Sequence, residues 1–420
     1  MSFRFLHTAD LHLDSPLVAL ALRDPALAES VGIATRTALT RIVDLCLAEK
    51  VDALLIAGDL WDGRQTSAKT PGFLKQELAR LGEAGVRSFV IRGNHDAMSR
   101  VTRELDPPPG TTIFDSRPRT ERFEAGGLAV AIHGVSFAEP SAPGSLLPLY
   151  PAADSGAFNI GMMHTSLNGS AGHDIYAPCS LADLDAHGYD YWALGHIHRR
   201  MEHRGRAAVV MPGVPQGRDI GESGPASVTL GVVDETGLRL EQRSVASLRF
   251  DRLAVDLAGA VDWGDAVAAL DRALRDAASL PRPEEHLVLR PRLTGNTPLA
   301  WRIARDLDRL TDEARASASG MAGLWIDRLE NATAQPSGAD ADGAGNLPDE
   351  LLRILREDLA DDPALSNLVS DTARDLLRDL PPELRDLLGD SDAAFATACA
   401  DLLRQGSDTI LARLAPMGEA

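Results

Sequence analysis

Five short polar clusters, each standing where an apolar run ends, constrain this chain more than any other feature. They are Asp10-Leu11-His12 after residues 3–7, Gly58-Asp59 after 51–57, and Gly93-Asn94-His95-Asp96 after 86–92. His164 closes the run 158–164, and Gly195-His196-Ile197-His198 follows 191–194. Short apolar runs bounded by Gly and Asp read as buried strands. Between the first three lie stretches of helical periodicity, 33–49 (with Leu39, Ile42, Val43, Leu45, Cys46 and Leu47) and 73–84. Strands alternating with helices of this length imply βαβ units and a parallel or mixed sheet. The carboxyl ends of such strands open on one crevice. An α/β fold of this kind therefore gathers the five clusters, although no two are adjacent in sequence.

Further strands are expected at 128–133, 207–211 and 226–233. From about residue 246 the pattern becomes a small α+β unit: strand 248–257, helix 263–278, strand 286–293, helix 299–318 and strand 324–329. Residues 336–346, Pro-Ser-Gly-Ala-Asp-Ala-Asp-Gly-Ala-Gly-Asn, have the composition of a flexible linker. Beyond it, 347–415 reads as helical, with Leu351, Leu352, Leu355, Leu359, Leu376, Leu377 and Leu380, punctuated by Pro381-Pro382. The expected organisation is a domain over 1–245 carrying all five clusters, an α+β domain over 246–335, the linker, and a helical segment over 347–420.

Charge narrows the partners. The 420 residues carry a net charge of −19, which excludes a uniformly basic nucleic-acid binder. The excess is uneven, because residues 338–420 hold 18 acids against 7 arginines. A basic groove elsewhere stays open, and with Lys50, Lys69 and Lys75 the only lysines, phosphate contacts would fall to arginine. Cys46, Cys179 and Cys399 are odd in number and far apart, which excludes a disulfide framework or a cysteine zinc site. No run approaches the ~18 apolar residues of a membrane span. The N-terminal run meets polar His7 and Asp10 too early for a signal peptide. A cytoplasmic protein without a membrane partner is expected.

Collected at one sheet edge, the clusters offer Asp, Asn and several His without thiolate. That donor set suits manganese, iron or zinc better than calcium or magnesium. The ligand count fits two ions, which can clamp the attacking and leaving oxygens of a phosphate displacement. Asp59, central in the set, is the natural bridge. Asp10, His12 and His198 would complete one shell, and Asn94, His164 and His196 the other. His95, next to ligand Asn94, would face the substrate as a proton donor or oxyanion stabiliser.

The series Asp-x-His, Gly-Asp, Gly-Asn-His-Asp, His and Gly-His-x-His resembles the calcineurin-like metallophosphoesterase superfamily, with all five motifs in order. Asp10-Leu11-His12-Leu13-Asp14-Ser15-Pro16, His164-Thr165-Ser166, Tyr176-Ala177-Pro178-Cys179, the run 189–196 and Gln216-Gly217-Arg218 narrow it to YhaO-type DNA repair exonucleases, relatives of the SbcD nuclease subunit. The resemblance implies a two-sheet sandwich flanked by helices, then a small α+β capping domain and a helical C-terminal segment that binds an SMC-like ATPase of the SbcC or YhaN type. It implies the same metal ligands, two Mn2+ ions, and leaves room for a homodimer. It departs at two positions. Asp62 stands where some relatives carry a His three residues after the bridging Asp, and Asp219 follows Arg218 where the run resembled continues with His. The partner orienting His95 is accordingly read as Asp96 or Asp62, with Asp96 counted among the catalytic residues.

The expected function is hydrolysis of DNA phosphodiester bonds, exonucleolytic and with endonuclease activity also open. The alternative is a small-molecule or cyclic-nucleotide phosphodiesterase with the same chemistry, and a third reading makes 347–420 an adaptor on a structural core. Arg218 and His173 are the substrate-binding candidates, while Arg92, Arg100, Arg199 and Arg200 read as solvated. His7 is read as a core histidine, His133 as either supporting the site or lying in a turn, and His187, His203 and His286 as surface residues.

Overall fold

The computed structural model describes residues 2–15, 25–61, 69–98, 106–139, 142, 144–167, 176–336, 362–379, 388 and 392–414. They divide into two compact units, Met1–Asp251 with Pro281–Val288, and Arg252–Leu280 with Leu289–Ala420.

The first unit is built on two six-stranded mixed sheets. One is ordered β12 (Gly237–Arg243), β11 (Val228–Asp234), β1 (Phe3–Thr8), β2 (Ala53–Ala57), β3 (Arg87–Ile91) and β4 (Thr111–Ile113). Its members β1 to β4 are parallel, and β11 and β12 close one side antiparallel. The other is ordered β5 (Arg119–Ala125), β6 (Leu128–Gly134), β7 (Phe158–His164), β8 (Tyr191–Gly195), β10 (Ala208–Met211) and β9 (Met201–Arg204). There β6, β7, β8 and β10 are parallel between antiparallel edges.

Strand periodicity explains why the central strands read as unbroken apolar runs. In β1, Phe3 and Phe5 enter the core between the sheets, while Leu6 turns to the outer face. In β2, Ala53, Leu55 and Ala57 face inward, and Leu54 and Ile56 face helices Pro25–Ala48 and Lys69–Glu83 through Leu39, Ile42, Leu74 and Leu78. Strands covered on both faces must be apolar at every position. The second sheet supplies Ile132, Ile160, Met162, Tyr191 and Val210 to the shared core, with the Phe5 and Tyr191 rings 4.8 Å apart. Each such side chain contributes about 1.5–3 kcal/mol on burial.

The remaining sheet is ordered β13 (Leu248–Asp256), β14 (His286–Thr294) and β15 (Leu324–Ile326), with β16 (Glu330–Asn331) also paired to β14. Helix Trp263–Ser279 starts at a reciprocal cap, in which Asp262 accepts from the Asp265 backbone and Asp265 from that of Asp262. The single helix expected over 299–318 is two, Ala300–Arg305 and Leu307–Ser319, broken where Asp306 leaves helical geometry. Helix Asp392–Leu414 packs on Ala300–Arg305 and on Pro363–Asp379. Apart from Pro336, the linker expected at 336–346 lies outside the described residues, as do 347–361. Among the described residues no helix is long and apolar enough to cross a membrane.

Candidate metal centre

The polar clusters meet at one end of the sandwich, where the carboxyl ends of β1, β2 and β3 face those of β7 and β8. The backbone does the aiming. Immediately past the strands, Asp10, His12, Asp59 and His196 take φ values of +53°, +41°, +53° and +107°. Left-handed geometry at a residue with a side chain costs on the order of 1–3 kcal/mol and persists only where neighbours enforce it. Here they do: Asp10 N donates to Gly58 O at 3.0 Å, His12 N to Asp59 O at 3.0 Å, and Leu13 N to Leu60 O at 2.8 Å. The loops after β1 and β2 thus run on as a bonded pair with their side chains over the sheet edge. Gly195 allows the sheets to close there, since a Cβ would lie 2.1 Å from Ala57 O.

Two donor groups result. Asp10, His12 and His198 form one, and Asp10, Asp59 and His164 the other, the ligand atoms of each lying within 4.8 Å of one another. His12 Nε2 stands 3.3 Å from His198 Nε2 and 3.9 Å from Asp59 Oδ2, which is itself 3.5 Å from His164 Nε2. Asn94 Oδ1 joins the second group 3.0 Å from His164 Nε2. His196 stands beside these groups, its ring centroid 5.2 Å from that of His164, and its backbone N–H reaches both Asp10 oxygens at 3.1 Å. All seven predicted ligands therefore share one locus, with Asp10 common to both groups.

This donor set fits a pair of cations. His12 Nδ1 is buried and has no hydrogen-bond partner among the described residues, while Nε2 of His12 and of His198 face each other. Two imidazole lone pairs oppose one another unless a proton or cation stands between them. His164 Nδ1–H donates to Ala57 O at 2.9 Å, which leaves Nε2 as its ligand nitrogen. Burial pushes the Asp10 carboxyl up and the His12 imidazole well down, the latter reinforced by Arg218. Burial also opposes the charge of Asp59, but His164, His12 and His95 together hold it far below the usual carboxylate range.

Asp96 and Arg218 are each engaged by partners within the fold. Asp96, buried and pushed up to about 7 by burial and by Asp59, accepts from Leu60 N at 2.9 Å, Trp61 N at 3.2 Å and Gly93 N at 3.0 Å. It ties the β2 and β3 loops together, so its influence on His95 runs through the backbone. His95 N donates to Asp59 Oδ1 at 3.1 Å, and its ring lies edge-on to that of His12 at 5.0 Å. Arg218, expected at substrate, is bound to Glu222, with Nε 3.0 Å from Oε1 and backbone N 2.7 Å from Oε2. Glu222 in turn holds His198 Nδ1 at 2.7 Å. Glu222 escaped the sequence reading. Its signal was the i, i+4 spacing from Arg218, which seldom points to a ligand's support.

His173, Asp62 and Arg100 lie outside the described residues. His7 is a core histidine bonded to Tyr191 and Leu194. His133 is buried inside β6, stacked on Tyr189 at 4.3 Å and bonded to Thr120 and Asn159, and so belongs neither to the site nor to a turn. A steric prediction follows from Gly93. A Cβ there would lie 2.2 Å from Asp59 Oδ1 and 2.8 Å from His164 Nε2. Gly93→Ala, which deletes no ligand, is expected to weaken metal binding about tenfold or more, the scale of a lost supporting contact. Metal titration of the variant checks this, and wild-type affinity would contradict the geometry.

Residues 3–200 match the family model for calcineurin-like phosphoesterases, and residues 250–334 that for the middle domain of the metallophosphoesterase YhaO. The chain is 36% identical over 260 residues to the metallophosphoesterase YhaO of Bacillus subtilis (strain 168), an alignment covering 60% of this chain and 63% of that protein. It is 25% identical over 422 residues to the DNA double-strand break repair protein Mre11 of Methanopyrus kandleri, covering 92% and 85%. With the Mre11 of Sulfurisphaera tokodaii the identity is 27% over 203 residues, covering 47% and 49%. The chain thus spans less than two thirds of the Bacillus and Sulfurisphaera relatives.

Proposed function

Because this chain carries a calcineurin-like metallophosphoesterase domain followed by a YhaO-type middle domain, we propose that it is a metal-dependent phosphodiesterase that hydrolyses DNA, working from strand ends. The observation that carries this reading is the two donor groups gathered at the mouth of two sheets, with Asp59 Oδ2 between His164 Nε2 at 3.5 Å and His12 Nε2 at 3.9 Å. Asp10, His12 and His198 would hold one ion, Asn94, His164 and His196 the other, and Asp59 both. Mn2+ suits this hard oxygen and imidazole set. When bound, the ions supply Lewis acidity at the phosphoryl group. His95, positioned through its backbone bond to Asp59, donates a proton to the departing oxygen. Phosphate and metal contacts, not base contacts, would dominate binding.

The relatives named for DNA double-strand break repair support a repair role and DNA as substrate. An SMC-like ATPase is the proposed partner, docked through residues 347–420. Such a partner would also add DNA-binding surface to a chain whose net charge of −19 repels a polyanion.

One observation favours a small nucleotide substrate instead. His198 borders a cavity of about 960 Å³ lined by Arg199, Arg200 and Gln242 and also by the acidic Glu202, Asp219 and Glu222, large enough for a nucleotide. An assay with Mn2+ on end-labelled linear duplex and single-stranded DNA separates the two. Nucleotide release by wild type but not by His95→Ala is expected. Hydrolysis of bis(p-nitrophenyl) phosphate that DNA neither competes with nor replaces as substrate would overturn the DNA reading.

A further inference from the structure

We infer that Glu222, clamped by Arg218, is a positioning residue that fixes the tautomer and orientation of His198 as a metal ligand. The inference rests on His198 holding an ion, as proposed above. His198 has two ring nitrogens with separate tasks. Nδ1 lies 2.7 Å from Glu222 Oε1, and Nε2 lies 3.3 Å from His12 Nε2, inside the first donor group. A carboxylate only accepts, so the proton must sit on Nδ1 and the lone pair on Nε2. Nη2 of Arg218 also comes within 3.3 Å of Nδ1. Without Glu222 that guanidinium would donate to Nδ1 and select the opposite tautomer, with a proton on the nitrogen that should face the ion. Glu222 therefore decides which nitrogen is the ligand.

The clamp explains a motif that the chemistry of the site leaves unused. Gln216 is buried and satisfied at both ends: its Nε2 donates to Gly217 O and Leu248 O at 2.8 Å, and its Oε1 accepts from Ser247 N at 2.9 Å. That anchors the start of the loop. Asp219 then caps the turn Ile220–Glu222 by accepting from Gly221 N at 2.6 Å, which brings Glu222 back over Arg218. Oε1 of Glu222 accepts from Arg218 Nη2 at 2.5 Å and from Nε at 3.0 Å, and Oε2 accepts from Arg218 N at 2.7 Å. The Glu222 side chain is 10% exposed, and the guanidinium offsets its charge. The carboxylate is thus held toward the imidazole by the guanidinium. Gln216, Arg218 and Glu222 form one device, with Gln216 placing the loop, Arg218 holding the carboxylate and Glu222 setting the ligand.

Calorimetric Mn2+ titration of the full chain at fixed pH tests this, with Glu222→Ala and Glu222→Gln and with manganese paramagnetic resonance as the second readout. Wild type is expected to bind two ions with the signature of a coupled pair. Glu222→Ala should weaken one ion by about 10–100-fold, the usual cost of removing a ligand's outer partner, leave the other unchanged, and convert the spectrum to that of a single ion. Glu222→Gln, whose amide oxygen still accepts from Nδ1–H, should lose less. Two ions bound as tightly in both variants as in wild type would overturn the inference. So would equal weakening of both ions together with a lower melting temperature in chelator, which marks a merely structural role. Failure of wild type itself to bind an ion would overturn the proposed function instead, so the two failures are distinguishable.

Discussion

Replacing His95 with alanine is expected to lower the turnover number by about 10²–10⁴, the usual worth of a positioned proton donor, without changing metal content. The reason is the division of labour in the residue. Its backbone N–H, 3.1 Å from Asp59 Oδ1, helps hold the central carboxylate, and alanine keeps that bond. Its ring stands beside His12 at 5.0 Å and belongs to neither donor group. Asp59→Ala is the opposite case, because it removes the oxygen that lies 3.5 Å from His164 Nε2 and 3.9 Å from His12 Nε2, and both ions should be lost. Elemental analysis and steady-state kinetics on the two variants separate these effects. The His95→Ala deficit should be larger on DNA, whose leaving oxygen departs as an alkoxide, than on bis(p-nitrophenyl) phosphate, whose leaving group is already a stable anion. Full activity in His95→Ala would remove the ring from the mechanism, and two ions retained in Asp59→Ala would contradict its bridging role.

The contrast between these residues marks what the sequence could convey. The candidate ligands were legible because parallel strands buried on both faces must be apolar to their last residue, so the polar group that follows stands out. Strand β7 runs Phe158 to His164 as read, and β8 ends at Gly195 just before the Gly-His-x-His histidines. The strands that escaped notice lie at the edges. β5, Arg-Thr-Glu-Arg-Phe-Glu-Ala, and β9, Met-Glu-His-Arg, are half-exposed or exposed along most of their length, so they carry no apolar run to betray them. Supporting contacts were hidden for a different reason. Asp96 spends its carboxylate on three backbone amides and Glu222 spends its own on His198 and Arg218. Backbone partners leave no trace in side-chain identity, and the approach of Glu222 to His198 is created by the fold across 24 residues. The partner of Arg218 was hidden on the same ground, since it depends on a turn whose closure composition does not announce. His133 shows the limit from the other side: a polar residue near a strand end reads equally as support for the site or as part of a turn, yet it sits in the strand with both ring nitrogens bonded.

His7 should make the metal-free protein lose stability as pH falls from 7 toward 5, by about 2 kcal/mol from this side chain alone at ~1.4 kcal/mol per unit of pH. The residue is fully buried, with Nε2 3.1 Å from Leu194 O and Nδ1 2.9 Å from the Tyr191 hydroxyl. The carbonyl can only accept, so the proton sits on Nε2, and Nδ1 takes the tyrosine hydroxyl hydrogen. That arrangement satisfies the neutral ring completely. Burial lowers its pKa to about 3 against 6.5 in the open chain; the Leu194 bond works against the shift and the Arg200 charge adds to it. Between those values the unfolded chain binds a proton that the folded chain refuses. Stability is therefore full above about 6.5 and drains away as pH drops toward 3. His7→Gln, which can still donate to Leu194 O, removes the titration and should flatten the dependence by the same ~2 kcal/mol between pH 7 and 5, even if the variant is less stable at neutral pH. Urea unfolding of both proteins in chelator at several pH values measures the difference between the two slopes, so the acid response of the site carboxylates, common to both, cancels. Parallel curves for wild type and variant would mean that the ring accepts its proton in the folded state, and that the bond to Tyr191 reverses to accommodate it.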